Sequence, residues 1–479
     1  MLDIDIANLD TGTTTINADE IEALAARLRG SILGPDDAFY DEARSVWNAM
    51  IDRRPGLIIR CGGTSDVVHA IRFAREHNLL ISARGGGHNI AGNAICDGGL
   101  EIDLSQMRSV RVDSSVQRAW VEPGALLVDV DKETQAFTLA VPTGINSTTG
   151  IAGLTLGGGF GWLTRKYGLT LDNLMSADVV TADGELLRTS LTENSDLFWA
   201  IRGGGGNFGI VTAFEFQLHQ VGPQVLSGLV VHPFADAATV LQEYRKVLET
   251  APDELTCWVV MRQAPPLPFL PAEWHGKEIL VLAICYCGDL DEGEKAMAHL
   301  RSIGNPIADV VAPNPFVAWQ QAFDPLLAPG ARNYWKSHDL TELSDGAIGI
   351  LIDAIGRLPG PECEVFIGHV GGAAGRIAND ATAFPQRSSH YVMNVHARWR
   401  EIRMDPNCIG WARGLFEAMA PHAAGTAYIN FMPEDEIERV EAAYGSNYQR
   451  LVEVKRKYDP LNLFRMNQNI RPVAEIRAA

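Results

Sequence analysis

The chain has 479 residues, 46% hydrophobic and 21% charged, which excludes disorder as its main state and suggests two or three domains. Its formal net charge of −19, from 40 basic and 59 acidic residues, argues against nucleic acid or an anionic membrane as a partner. Seven cysteines are an odd, sparse set rather than a disulfide framework, and the N-terminus MLDIDIANLD has neither a basic region nor an apolar core, so a cytoplasmic protein is expected.

In chain order, residues 57–60 read as a strand. Thr64 or Ser65 then caps a helix to about Glu76, with Val67, Val68, Ile71 and Ala74 on one apolar face. A second strand at 80–83 delivers the loop Arg84-Gly85-Gly86-Gly87-His88-Asn89. Short strands follow at 101–104, 110–112 and 119–121, and a helix at 126–137. Residues 179–187 read as a hairpin around Asp183-Gly184. A helix at 196–201 and a strand at 211–218 complete a first half of α+β character.

From about 225 the glycine clusters thin out and longer elements appear, such as 277–287 and 347–358, so a second domain is expected to 422. The longest wholly apolar run, Ile279 to Cys287, is nine residues, against about 20 for a membrane-spanning helix, so it reads as a buried strand. Cys285 and Cys287 on it have no second pair at useful spacing, so they read as core and no metal site is expected. Near the end, a helix finishes in Lys455-Arg456-Lys457 before the stop Tyr458-Asp459-Pro460.

Glycine is unevenly placed. Twenty-one of 46 glycines lie between Gly85 and Gly209, fifteen of them in three clusters: RGGGHN at 84–89, TGINSTTGIAGLTLGGGFG at 143–161 and RGGGGNFG at 202–209. Glycine costs conformational entropy, and ordinary turns need only one or two. Runs of three and four point to a ligand lying flat against the backbone. Gly204-x-Gly206-x-x-Gly209 has the letters of a dinucleotide fingerprint, but a helix precedes it and a strand follows, the reverse of what that motif needs. No phosphate-binding GxxxxGK[ST], GxSxG or HExxH is present. His88, directly after three glycines, is either a surface residue or, beside a cofactor, a base, ligand or nucleophile.

These segments together resemble the FAD-linked oxidases of the vanillyl-alcohol oxidase superfamily, berberine-bridge-enzyme-like branch. The three glycine loops and the terminal NYQRLVEVKRKYDPLNLFRMNQNI at 447–470 match in order and spacing, and the likeness covers nearly the whole chain. The resemblance implies an α+β fold. An FAD-binding domain of two α+β subdomains would span 1–222, divided near 120. A substrate domain with a large antiparallel sheet would span 223–422, and 423–479 would return to the FAD domain.

It also implies FAD held covalently by His88, with Arg84, Gly85, Gly86, Gly87 and Asn89 around it. The second loop would contribute Thr143, Gly144, Thr149, Gly150, Gly153, Leu154, Gly158, Gly159 and Gly161. The third would contribute Asn207, Gly209 and Val211, and the chain end Asn467 and Asn469. Many relatives have a second link through a cysteine in Gly-x-Cys-x-x-(Val/Ile)-Gly. Here Gly144-Ile145-Asn146-Ser147-Thr148-Thr149-Gly150 has Asn146 at that position, so His88 is expected to be the single link.

Thr149 stands where the family's oxygen gatekeeper stands, and its valine-like size favours an oxidase with O₂ as acceptor over a dehydrogenase. Tyr428, in Tyr428-Ile429-Asn430-Phe431, is the implied base. Asn430 is expected to position substrate or ring, and Asn394 stands where plant relatives have an active-site glutamine. Val392 stands where some relatives have a lysine, and Lys336 could supply charge instead. His219, His232, His369 and His396 match no motif and read as structural. The expected partners are a small organic molecule and O₂, the expected state monomer or homodimer. The competing readings are a dehydrogenase using another acceptor and a flavin-carrying binding protein with little turnover.

Overall fold

A computed structural model describes residues 3–472. Residues Leu57–Arg60, Leu100–Asp103 and Ile81–Arg84 form a parallel sheet, edged on one side by antiparallel Ser31–Leu33. The helix Thr64–Glu76 crosses between two of these strands, burying Val67, Ala70, Ile71, Phe73 and Ala74 against the sheet. Neither Thr64 nor Ser65 caps it: the cap is Gly63, with no side-chain bond. Asp66 inside the first turn instead accepts the backbone N–H of Gly62, Arg29 and Gly30 at 2.8, 3.0 and 2.9 Å. A carboxylate reaches three otherwise orphaned amides where a hydroxyl would reach one.

A second sheet is five-stranded and antiparallel, in the order Leu186–Ser190, Leu174–Val180, Ile210–Gln217, Arg118–Val121 and Val110–Asp113. The expected hairpin is its first pair. The helix Ser195–Ile201 precedes the third glycine cluster and the strand Ile210–Gln217 follows it, which is why that cluster is not a dinucleotide fingerprint.

The third sheet has eight antiparallel strands. Its alternation decides what each face does, because successive side chains in a strand point to opposite sides. In Leu255–Gln263, Cys257, Val259 and Met261 pack under the helices Ala237–Glu249, Asp345–Ile355 and Asp405–Met419. Trp258, Val260 and Arg262 take the other face, which lines a cavity. The same division holds in Glu364–His369, where Val365 and Ile367 join the core and Glu364 and Phe366 the cavity. In Tyr391–Trp399, Met393 and Val395 join the core, and Asn394 and His396 the cavity.

The last helix, Tyr448–Tyr458, buries Leu451, Val452 and Val454 in the core that holds the five-stranded sheet. Its buried Lys455 donates to the carbonyls of Asn207 and Phe464 at 2.7 and 2.9 Å and pairs with Asp459 at 2.7 Å. The chain end is thereby tied to the third glycine loop.

Candidate active site

The three glycine loops, the chain end and the large sheet enclose one cavity of about 380 Å³. Its first wall is backbone. A Cβ added to Gly86 would lie 2.4 Å from the Gly150 nitrogen, and one on Gly150 would lie 2.4 Å from the Gly86 nitrogen. The first and second loops therefore touch main chain to main chain. Gly153 and Gly206 also line the cavity, and a Cβ on either would meet no atom of the described residues within 4 Å.

Of the residues expected from sequence to touch the cofactor, Gly85, Gly86, Gly87, His88 and Asn89 line this wall. So do Gly144, Thr149, Gly150, Gly153 and Leu154, then Asn207, Gly209, Val211 and Asn467. Six do not. The Arg84 guanidinium turns away to the carbonyls of Ala43 and Ser45. Gly161 gives way to the Thr143 carbonyl, which a Cβ would meet at 1.9 Å. Gly158 makes room for the Tyr428 ring at 2.8 Å and Gly159 for Thr170 Oγ1 at 2.2 Å. Thr143 accepts from Gln320, away from the cavity, and Asn469 lies off its wall with an unpartnered Oδ1.

His88 stands in the wall with its ring stacked on Trp47, centroids 5.1 Å apart and planes 21° off parallel. Its Nε2 lies 3.0 Å from Thr148 Oγ1. Loss of hydration lowers its pKa to about 3, so the imidazole is neutral.

Tyr428 and Asn430 sit where the glycine wall meets the sheet. The Tyr428 hydroxyl accepts the Gly159 N–H at 2.9 Å and the Asn430 amide N–H at 3.0 Å. Gly157 is glycine because a Cβ there would strike Asn430 Oδ1 at 2.1 Å. Burial pushes the Tyr428 phenol up to about 12, with these two donors pulling the other way. Lys336 is committed to Asp435 at 3.1 Å and Glu436 at 2.9 Å and does not line the cavity.

The opposite wall is the large sheet, mostly apolar and charged at one place. Arg262 donates to Glu364 at 2.7 Å, and His396 Nδ1 lies 3.3 Å from the other Glu364 oxygen. Burial opposes ionisation of Glu364, but Arg262, His396 and Arg398 outweigh it and hold the carboxyl at about 2. His396 is thus part of the cavity, contrary to its reading as structural, whereas His219 binds Asn173 and His369 binds Arg165 outside it. Asn394 lines the same wall with a buried Oδ1 that has no partner among the described residues.

Residues 55–190 match the FAD binding domain model, and residues 427–471 match the model described as berberine and berberine like. An FAD-linked oxidoreductase of Dictyostelium discoideum is 33% identical over 91% of this chain and 93% of its own length. The chain belongs to the FAD-linked oxidoreductases of the berberine-bridge-enzyme-like family. Within that family, the (R)-6-hydroxynicotine oxidase of Paenarthrobacter nicotinovorans is 31% identical over 93% of this chain and 97% of its own. The crystal structure of 6-hydroxy-D-nicotine oxidase from Arthrobacter nicotinovorans superposes with a TM-score of 0.83 at 29% identity, covering 93% of this chain and 98% of that one.

The cavity of this oxidoreductase fits FAD on its own terms. A wall built largely of glycine backbone accepts a flat ring system. Asn467 Oδ1, buried in that wall without a partner among the described residues, asks for a hydrogen-bond donor from whatever fills it. The residues sequence reasoning missed come from elsewhere in the chain: Arg262, Glu364 and Phe366 meet only through the sheet register, and Trp47 reaches the wall from a segment outside the strands to stack on His88.

Proposed function

We propose that this chain is an FAD-dependent oxidase that removes a proton from an O–H or N–H of a small organic substrate and hydride from the adjacent carbon. O₂ is the acceptor and H₂O₂ the product. The carrying observation is one cavity with a backbone wall on one side, a polar sheet cluster on the other, and a doubly hydrogen-bonded Tyr428 hydroxyl between them. FAD, when bound, accepts the hydride and passes both electrons to O₂.

The chain's own residues bind, orient and move the proton. His88 would hold the cofactor as the single covalent link, since Asn146 takes the place of the linking cysteine. Tyr428 takes the substrate proton. The Gly159 and Asn430 N–H groups point at its oxygen and favour the negative charge that this step calls for. Asn394 Oδ1 accepts from the substrate, and the Glu364–Arg262–His396 cluster anchors the substrate's polar end while Val260, Phe366 and Trp258 pack its apolar body. Thr149 lines the cavity with a side chain of valine's size, which leaves room for O₂. An apolar cavity with one charged cluster favours aromatic or heterocyclic alcohols and amines, in keeping with the relative named for 6-hydroxynicotine.

The same reading divides the chain into an FAD domain at 1–222, with halves meeting near 120, a substrate domain at 223–422 and a returning segment at 423–479. It places the protein in the cytoplasm as a monomer or homodimer. Seven buried cysteines, all free, are in keeping with a reducing compartment.

The test is anaerobic mixing of the yellow holoprotein with a panel of aromatic alcohols and cyclic amines, followed by admission of O₂. Bleaching within seconds, then recovery with one peroxide per flavin, is expected. Reduced flavin that persists in air for many minutes would make it a dehydrogenase, and no bleaching by any compound would make it a binding protein.

A further inference from the structure

We propose that Thr148 and Asn146 are positioning residues that hold His88 as its Nε2–H tautomer, leaving the Nδ1 lone pair to form the bond to the 8α carbon of the flavin. The proposal rests on the covalent attachment read above. It follows from counting hydrogens.

The backbone N–H of Thr148 lies 3.2 Å from Asn146 Oδ1. An N–H can only donate, so that atom of the side-chain amide is its oxygen and not its nitrogen. The Thr148 hydroxyl lies 2.8 Å from the same oxygen, which can only accept, so the single hydroxyl hydrogen points there. His88 Nε2 is 3.0 Å from the same hydroxyl. With its hydrogen already directed to Asn146, the hydroxyl meets the ring with a lone pair, and Nε2 must carry the hydrogen. A neutral imidazole has one N–H, so Nδ1 is bare. The Trp47 stack fixes the plane of the ring in the cavity wall. Asn146 stands where relatives carry the cysteine of the second link, so the position that has lost one attachment here orients the other.

The atoms balance. The Nδ1 lone pair forms the nitrogen–carbon bond as the 8α methyl group gives up one hydrogen as a proton. The electron pair of that C–H bond is retained, so the flavin gains two electrons. The Nε2 proton leaves past the Thr148 hydroxyl, and the ring ends neutral. O₂, the acceptor of the proposed reaction, takes the two electrons and two protons as H₂O₂.

The experiment compares wild type with Thr148→Val, Thr148→Ser, Asn146→Ala and His88→Ala. Total flavin is read from absorbance of the native protein. Covalent flavin is read from fluorescence on a denaturing gel. Wild type and Thr148→Ser are expected to be almost fully covalent. Thr148→Val and Asn146→Ala are expected to bind flavin but attach it about tenfold more slowly on incubation with FAD. His88→Ala should attach none. The flavin peptide digested from wild type, examined by NMR, should show linkage at Nδ1, a reading that needs no variant to fold. Linkage at Nε2, or attachment by Thr148→Val at the wild-type rate, would overturn the relay while leaving the His88 attachment standing. Wild-type protein that releases all its flavin on denaturation would instead overturn the attachment, and the relay with it.

Discussion

Gly86 and Gly150 meet main chain to main chain, each amide nitrogen 2.4 Å from where a Cβ on the other residue would lie. Two loops more than sixty residues apart are thereby locked into one surface, and only glycine at both positions lets them close. Gly86→Ala or Gly150→Ala should part the loops and lower stability by about 1–3 kcal/mol, the usual cost of overpacking. Both should also reduce the flavin-to-protein ratio. Gly206→Ala is the contrast. Its Cβ meets no atom of the described residues within 4 Å, so the flavin-free protein should melt as wild type does while flavin binding weakens. Equal loss of thermal stability in all three variants would show that the space at Gly206 is not kept for a ligand.

The glycine wall was legible in the sequence because its signal is local: consecutive glycines have few other uses. What sequence could not tell is which way each glycine faces. Gly158 and Gly159 read like the rest of their cluster, yet they accommodate Tyr428 and Thr170 rather than opening on the cavity. The letters of a dinucleotide fingerprint at 204–209 are set aside by sequence as well, because the flanking helix and strand are also local signals. The sheet wall was illegible for the opposite reason. Arg262 and Glu364 are 102 residues apart and meet only because Leu255–Gln263 and Glu364–His369 pair in one register. His396 was misread for the same reason: its partner is set by strand pairing, which no motif announces. The missing cap at Thr64 is a smaller case, in which a carboxylate two residues on serves three amides at once.

Tyr428 should govern the pH profile. Its phenol is pushed up to about 12 by burial, so the ionised base is scarce at neutral pH and grows tenfold per pH unit. Measured across pH 7–10, kcat/KM should rise with a slope near one and no plateau. Tyr428→Phe should lose on the order of 10²–10⁴ in kcat and flatten the profile, as removal of a general base does, while flavin content stays full. A bell-shaped profile centred near pH 7 in wild type would assign the proton to another group.

The Glu364 cluster should act on substrate rather than on the flavin. Glu364→Gln keeps the shape but removes the charge that faces Arg262 and His396. With a substrate identified from the panel, KM should rise about tenfold, equivalent to about 1.4 kcal/mol, with a smaller change in kcat and no change in flavin content. A fall in flavin content with KM unchanged would move this residue from the substrate side to the cofactor side.

Glu101 gives a test in stability alone. It lies fully buried in the strand Leu100–Asp103, and among the described residues neither carboxyl oxygen has a hydrogen-bond partner. The nearest cation, Arg84, is 3.7 Å away with its guanidinium turned to backbone carbonyls. Burial raises the Glu101 pKa to about 8, Arg84 offsetting only part of it. Below the unfolded value near 4.5, both folded and unfolded chains carry the proton, and the residue is no liability. Between there and pH 8 the folded chain keeps a proton that the unfolded chain has lost, so stability falls as pH rises. Glu101→Gln mimics the neutral acid at every pH. Its Tm should match wild type at pH 5 and exceed it by several degrees at pH 9, where a few kcal/mol are recovered, on the order of the shift. A Tm difference that is the same at both pH values would mean that Glu101 ionises freely in the folded protein and that Arg84, despite its other partners, neutralises it.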